Sequence, residues 1–311
     1  MNTIILGTRG SALALAQADL TERALARAFP TMKTERRVFI TRGDRKLDLS
    51  LLRAGEAGGK GLFTKELEDA LLSGAIDVAV HSLKDLPGHN PPGLALTAVL
   101  ERASTADVLI TKAPGGFDAL APGARIGTSS VRRARQLQWL RADLAMEEWR
   151  GNVQTRLRKL AERADIAGIV LAQAGLERLG FDLTGGVFAF ETHRFHIASL
   201  AAHLLPAIGQ GAIALQSRAD RADVNEILRA LNHQPTFICV RAERELQRLL
   251  SGDCALPVGV RAELDGTRLR LRGILFGAAD APPAEAVAEG AANEPEQIAA
   301  ELFRRLTAPS A

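Results

Sequence analysis

The sequence predicts an α/β protein with two similar open-sheet units and a smaller α/β unit after them. Two internal echoes and a distinct C-terminal pattern support this. Gly7-Thr8-Arg9-Gly10-Ser11 links an apolar run to a helical one, and Gly127-Thr128-Ser129-Ser130 does the same later. Asp77-Val78-Ala79-Val80 is likewise echoed by Asp165-Ile166-Ala167-Gly168-Ile169-Val170, each after a helical stretch. Beyond residue 257, two apolar strand patterns flank an Asp265-Gly266 hairpin turn, and a helix closes the chain. Two open units facing each other would hold a ligand between their strand ends.

Thr3 to Leu6 reads as a strand, broken by the glycine turn, and Ala12 to Ala28 as a helix capped by Ser11. Backbone N–H groups at that helix start, with Arg9, suit an anion. Arg37 to Thr41 reads as a second strand. Leu51 to Phe63, with four glycines around Lys60, reads as a mobile loop. It is not a P-loop, because Ala54 and Gly61 stand where that motif needs Gly and Ser or Thr. Phe63 to Ser73 forms a helix stopped by Gly74, followed by a buried strand from Ile76 to Val80. That strand ends in His81-Ser82-Leu83-Lys84-Asp85-Leu86-Pro87, a polar tip that Pro87 keeps from becoming helix. Lys84 beside Asp85 at a strand end is a candidate reaction centre; an ordinary solvated ion pair is the competing reading.

Leu94 to Leu100 is the next strand, and the second unit begins after Glu101 with strand Asp107 to Thr111. Strands at 144–149 and 167–172 follow, and Arg132, Arg133, Arg150, Arg156 and Arg178 all fall at or just after strand ends. Such placement can bring them to the mouth of one cleft. Phe181 to His203 reads as a long connection of low regularity. Gly209-Gln210-Gly211 precedes an apolar strand rather than a helix, which rules out a dinucleotide fingerprint and suggests a return crossover. Helices at 224–231 and 236–250 follow. Cys239 lies on the apolar face of the second with Ala242, Leu246 and Leu249, as a core residue would. Cys254 instead sits on a loop with no apolar run to bury it, where a covalent role is a live possibility.

Composition narrows the function. Lys occurs only at 33, 46, 60, 65, 84, 112 and 159, leaving 32 Arg among the 39 basic residues. Arginine's planar fork grips carboxylates and phosphates, which suggests a polyanionic ligand, although a G+C-rich genome gives the same bias. The two cysteines offer neither a disulfide framework nor metal-ligand spacing. With no membrane-length apolar run and no signal-peptide pattern, cytoplasm is the default. A nucleic-acid partner would call for a basic run with interleaved aromatics, which is missing.

The ordered motifs Gly7-Thr8-Arg9-Gly10-Ser11, Thr41-Arg42-Gly43-Asp44, Gly58-Gly59-Lys60-Gly61-Leu62-Phe63, Val80 to Pro87, Gly127 to Arg133, Arg150-Gly151-Asn152 and Leu205 to Ala212 closely resemble those of the porphobilinogen deaminases. The resemblance covers residues 3 to about 275. It implies two periplasmic-binding-protein-like (type II) domains, residues 1–101 with 200–220 and residues 102–199, plus a small α/β domain at 221–311. It implies a dipyrromethane cofactor held by a thioether to Cys254, porphobilinogen as substrate, hydroxymethylbilane as product, no metal and a monomer. Asp85 matches the catalytic aspartate. Ser82, Lys84, Asp85, Thr128, Ser130, Arg132, Arg133 and Arg156 match the cofactor-binding positions. Arg9, Ser11, Gln17, Arg150, Arg156 and Arg178 match the substrate-binding ones, and Lys60 and Phe63 lie on the matching flexible loop. Glu56, Asp253 and Ala255 depart from the family pattern. A two-lobed, non-catalytic binding protein for an organic anion is the alternative, but it gives no reason for Cys254 or the third domain.

Overall fold

The structure, a computed structural model, describes residues 2–41, 64–250, 257–278 and 281–308. The first lobe opens with β1 (Thr3–Arg9), α1 (Ala12–Ala28) and β2 (Lys33–Phe39). It continues with α2 (Lys65–Leu72), β3 (Val78–Ser82), a single 3-10 turn (Leu83–Asp85) and β4 (Leu94–Val99). The second lobe holds β5 (Asp107–Thr111), β6 (Arg125–Gly127), α3 (Val131–Leu140), β7 (Ala145–Glu147) and α4 (Val153–Glu162). It ends with β8 (Gly168–Ala172), α5 (Gln173–Arg178), β9 (Val187–Phe190) and β10 (His193–Ser199). The chain then returns as β11 (Ile213–Arg218), followed by α6 (Ala222–Leu231) and α7 (Gln234–Leu250). The last unit is β12 (Val258–Asp265), β13 (Arg268–Leu275), β14 (Ala284–Ala291) and α8 (Pro295–Thr307).

The strand orders are β2-β1-β3-β11-β4 and β7-β6-β8-β5-β10-β9, with a separate β12-β13-β14 sheet. In the first lobe β1 runs parallel to β2 and β3, and β11 is antiparallel to β3. The second repeats this: β6 is parallel to β7 and β8, and β5 is antiparallel to β8. The echoes in the sequence are therefore the same strand positions in two lobes of matching topology. Because β3 is covered on both faces, Val78, Ala79 and Val80 are buried, as a continuous apolar run requires.

Several expectations need correction. The second strand is Lys33–Phe39, earlier than Arg37 to Thr41, because all seven of its residues pair with β1. The strand expected over 76–80 runs 78–82, since β11 pairs with it as far as Ser82. The connection from 181 to 203 is not irregular: β9 and β10 form a hairpin that turns at Glu191, φ +53. β14 was not foreseen, its Ala- and Glu-rich sequence being a poor strand former that pairing with β13 overrides. Finally, α6 was assigned to the third domain, but Val224, Ile227 and Leu228 pack with Ile4, Leu6 and Leu215 of the first lobe.

The two segments that pass between the lobes touch. Ala103 N–H donates to the Gly211 carbonyl at 3.1 Å, and a Cβ on Gly211 (φ +85) would lie 2.5 Å from the Ala103 carbonyl. Only glycine fits there. Beside this crossing, the Glu243 carboxylate on α7, fully buried, accepts from Arg102 Nη1 and Nη2 (2.8 and 2.9 Å), Gly209 N (2.8 Å) and Ala262 N (3.2 Å). One carboxylate thus joins both crossing segments to the third domain. Cys239 is buried in that domain's core, on the α7 face that also carries Ala242 and Leu246.

Candidate active site

The first lobe supplies an exposed carboxylate to the cleft. β1 delivers Arg9 and β3 delivers Ser82, so both stand at the ends of parallel neighbours, and the turn after β3 carries Lys84 and Asp85. Arg9 Nη1 lies 4.0 Å from Asp85 Oδ2, and the Asp85 side chain is 37% exposed, so it faces open space. Arg9, Ser11, Gln17, His81, Ser82 and Asp85 line one small cavity of about 60 Å³. Ser11 caps α1 as expected, accepting from Ala14 N–H at 3.3 Å. Gln17 is buried and exchanges hydrogen bonds with the Ser82 hydroxyl, Nε2 to Oγ at 2.7 Å and Oγ to Oε1 at 3.2 Å. The His81 ring, behind this wall, meets Gln216 Oε1 at 3.2 Å. Burial, reinforced by Arg9, pushes His81 down to about 4, so it is neutral at pH 7.

The second lobe supplies cations. Ser130 caps α3 by accepting from Arg133 N–H at 3.4 Å, while the Thr128 hydroxyl accepts from Ser130 N–H at 3.2 Å. Arg132 and Arg133, in the first turn of α3, both reach Asp107. Arg132 Nη1 donates to Oδ2 (2.8 Å), and Arg133 Nε and Nη2 donate to Oδ1 (3.0 and 2.7 Å). Burial opposes a charge on Asp107, but Arg133 and Arg132 outweigh it and hold the carboxyl well below the usual range. One anion therefore serves two buried cations, and Arg132 Nε is left buried with no hydrogen-bond partner among the described residues.

Lys84 faces this group from the other lobe. Crowding by protein and then the charge of Arg133 lower its pKa to about 8, although its surface remains accessible to solvent at the cleft. Arg156, on α4, donates Nε to the Gly151 carbonyl (2.7 Å). Burial and then Arg133 and Arg150 lower its pKa to about 10. Arg178, at the end of α5, donates Nη2 to the Gly211 carbonyl (2.6 Å), and burial lowers it to about 10 as well. Arg150 pairs with Glu148, Nη2 to Oε1 at 2.6 Å. Cations that repel one another in this way form a region of surplus positive charge, which a ligand bearing several carboxylates would neutralise.

Cys254, Lys60 and Phe63 lie outside the described residues, as do Glu56, Asp253 and Ala255. Asp107 was not singled out from the sequence, although a carboxylate opening a strand that is otherwise Val-Leu-Ile-Thr hints at a buried partner. No group of His, Cys, Asp and Glu among the described residues could hold a metal, and none of their helices is long and apolar enough to cross a membrane.

Comparison with known families decides what this cleft belongs to. Residues 4–226 match the family model described as porphobilinogen deaminase, dipyromethane cofactor binding domain, and residues 237–308 match the porphobilinogen deaminase C-terminal domain. The chain belongs to the porphobilinogen deaminase family. The porphobilinogen deaminase of Syntrophomonas wolfei is 44% identical over 300 residues, covering 93% of each chain. That of Desulforudis audaxviator is 44% identical over 303 residues (97% of this chain, 94% of the relative). That of Moorella thermoacetica is 42% identical over 311 residues (100% and 95%). Porphobilinogen deaminases, also called hydroxymethylbilane synthases, are transferases of porphyrin and tetrapyrrole biosynthesis. Their dipyrromethane carries acetate and propionate arms, and this cleft suits it: the orphaned Arg132 Nε and the mutually repelling Lys84, Arg133 and Arg156 are donors and charges awaiting carboxylates.

Proposed function

We propose that this chain joins porphobilinogen units stepwise, with loss of ammonia, into the linear tetrapyrrole hydroxymethylbilane. Asp85 is the catalytic group, and Cys254 anchors the dipyrromethane through a thioether. The observation that carries this reading is an accessible carboxylate, Asp85, at the end of β3, opposite a cluster of cations with too few anions to balance them.

When bound, dipyrromethane supplies the free pyrrole α-carbon to which the first substrate ring is joined. Ser82, Lys84, Thr128, Ser130, Arg132, Arg133 and Arg156 would hold its carboxylates. Arg9, Ser11, Gln17, Arg150, Arg156 and Arg178 would orient the acetate and propionate of the incoming porphobilinogen. As the aminomethyl C–N bond of that substrate breaks, ammonia leaves and the ring becomes an azafulvenium cation whose charge is shared with its N–H. A fixed carboxylate at Asp85 steadies that cation, and Arg9, 4.0 Å away, orients it. Asp85 Oδ2 can also pass a proton to the departing amine and receive the one released when the new C–C bond forms. His81, neutral and buried, takes no proton at pH 7 and serves as a rigid backing for the site. We further infer a cytoplasmic monomer.

Intact mass of protein incubated with porphobilinogen tests both assignments. The expected result is a dipyrromethane increment with a ladder of further pyrroles, absent from Cys254→Ala. Asp85→Asn should keep the fold and lose about 10²–10³-fold or more in turnover. An unmodified mass in active protein, or full activity of Asp85→Asn, would overturn the corresponding assignment.

A further inference from the structure

A second cationic site lies away from the cleft, where α7 passes the loop that follows the Asp85 turn. Arg241, Arg244 and Arg248 occupy one face of α7 at helical spacing, and they line a cavity of about 220 Å³ with Gly88, Asn90 and Phe237. The outer two are neutralised by their own carboxylates. Arg241 Nε and Nη2 donate to Glu296 Oε1 and Oε2 (2.7 and 2.8 Å), and Arg248 Nε and Nη2 donate to Glu245 Oε2 and Oε1 (2.7 and 2.6 Å).

Arg244, between them, has no carboxylate partner among the described residues. It is only 9% exposed, its Nη2 reaches just the Gly88 carbonyl at 3.5 Å, and its Nη1 is buried without a hydrogen-bond partner. A buried guanidinium left in that state is costly, and an oxyanion supplying two adjacent oxygens would satisfy it. The cavity is smaller than the ~300 Å³ at which pockets for drug-sized ligands begin, which excludes a tetrapyrrole. Three arginines against two glutamates leave one positive charge for the occupant.

We propose that Arg244 forms the centre of a binding site for a small oxyanion, a phosphate or a short carboxylate, bridging the 88–90 loop of the first lobe to α7. The bound anion would tie the loop next to the catalytic turn to the helix that carries the interdomain joint. The source of the oxygens is decided by titrating holoenzyme, whose cleft is already filled with carboxylates, with inorganic phosphate and separately with malonate. Calorimetry measures affinity, and crystals soaked with selenate locate the anion.

At least one of the two should bind the wild type and bind Arg244→Met at least tenfold more weakly, with selenate density beside the guanidinium. Arg244→Lys keeps the charge but loses the fork, and it provides the test should the Met variant not fold; tenfold or greater weakening is again expected. Glu245→Gln, which removes a competing negative charge, should tighten binding. The proposal is overturned by equal affinity in wild type and the folded Arg244 variant, by no binding of either anion, or by selenate found only in the cleft.

Discussion

Two buried arginine sites in this molecule are balanced in opposite ways. At the joint, Glu243 meets one arginine, Arg102, and fills its remaining capacity with two backbone N–H groups. At the cleft, Asp107 meets two arginines and the Gln210 amide (2.9 Å), and an arginine nitrogen is left over. The first arrangement is closed, so its strength goes into holding three parts of the chain together. The second is left electrically open on the side that faces Lys84 and Arg156, so it holds α3 in place while keeping charge for a ligand. A buried cation with spare donors therefore separates an open arginine cluster from a closed structural joint more sharply than burial alone.

Removing each carboxylate probes this contrast most strongly. Asp107→Asn should destabilise the cofactor-free protein by about 3–5 kcal/mol, since two buried cations lose their shared anion. Urea unfolding should show much of that loss recovered in cofactor-loaded protein. Glu243→Ala should cost a similar ~3–5 kcal/mol with no recovery on loading, because no ligand carboxylate reaches the joint. Equal recovery in both variants would break the distinction.

Next in size is His81. Its folded pKa, about 4, lies below the unfolded value, so between about pH 6.5 and 4 the unfolded chain takes up a proton that the folded one refuses. Stability is therefore lost as pH falls through that window, by about 3 kcal/mol. Unfolding of His81→Gln should show a flatter acid limb.

Lys84 acts in the same sense, in a window at higher pH. Its folded pKa of about 8 lies below the ordinary value near 10.5, so its charge is unfavourable in the cofactor-free fold below pH 8, and stability rises as the group deprotonates between about pH 8 and 10.5. Lys84→Met should remove that rise, as unfolding at pH 7 and pH 10 would show. Smallest of all, Ser82→Ala leaves the buried Gln17 amide short of a partner and should cost about 1 kcal/mol in thermal unfolding.

The fold was largely legible because its signals are local. Apolar runs of five residues, the Ser11 and Ser130 caps and the Gly74 stop each act within a few residues, and the structure follows them. What escaped depends on distant partners. β14 exists because β13 lies beside it, the β9–β10 hairpin becomes visible only through its pairing, and α6 belongs to the first lobe through contacts with strands far away in sequence. The site was legible in part for the same reason. Strand ends announce Arg9, Ser82 and Asp85, whereas the tie between Asp107, Arg132 and Arg133 joins residues 25 and 26 positions apart through space, and the local sequence hints at a buried carboxylate without naming its partners.

The return of β11 also dictates an order of assembly. The second lobe is one unbroken stretch from β5 to β10, but β3 and β4 are joined only through β11, which follows that entire stretch. A nascent chain that has not yet reached residue 213 therefore carries β3 with an unpaired apolar edge, an invitation to stray strand pairing on the ribosome. The earlier-synthesised half of the protein must wait for the later one, which can close its own sheet first.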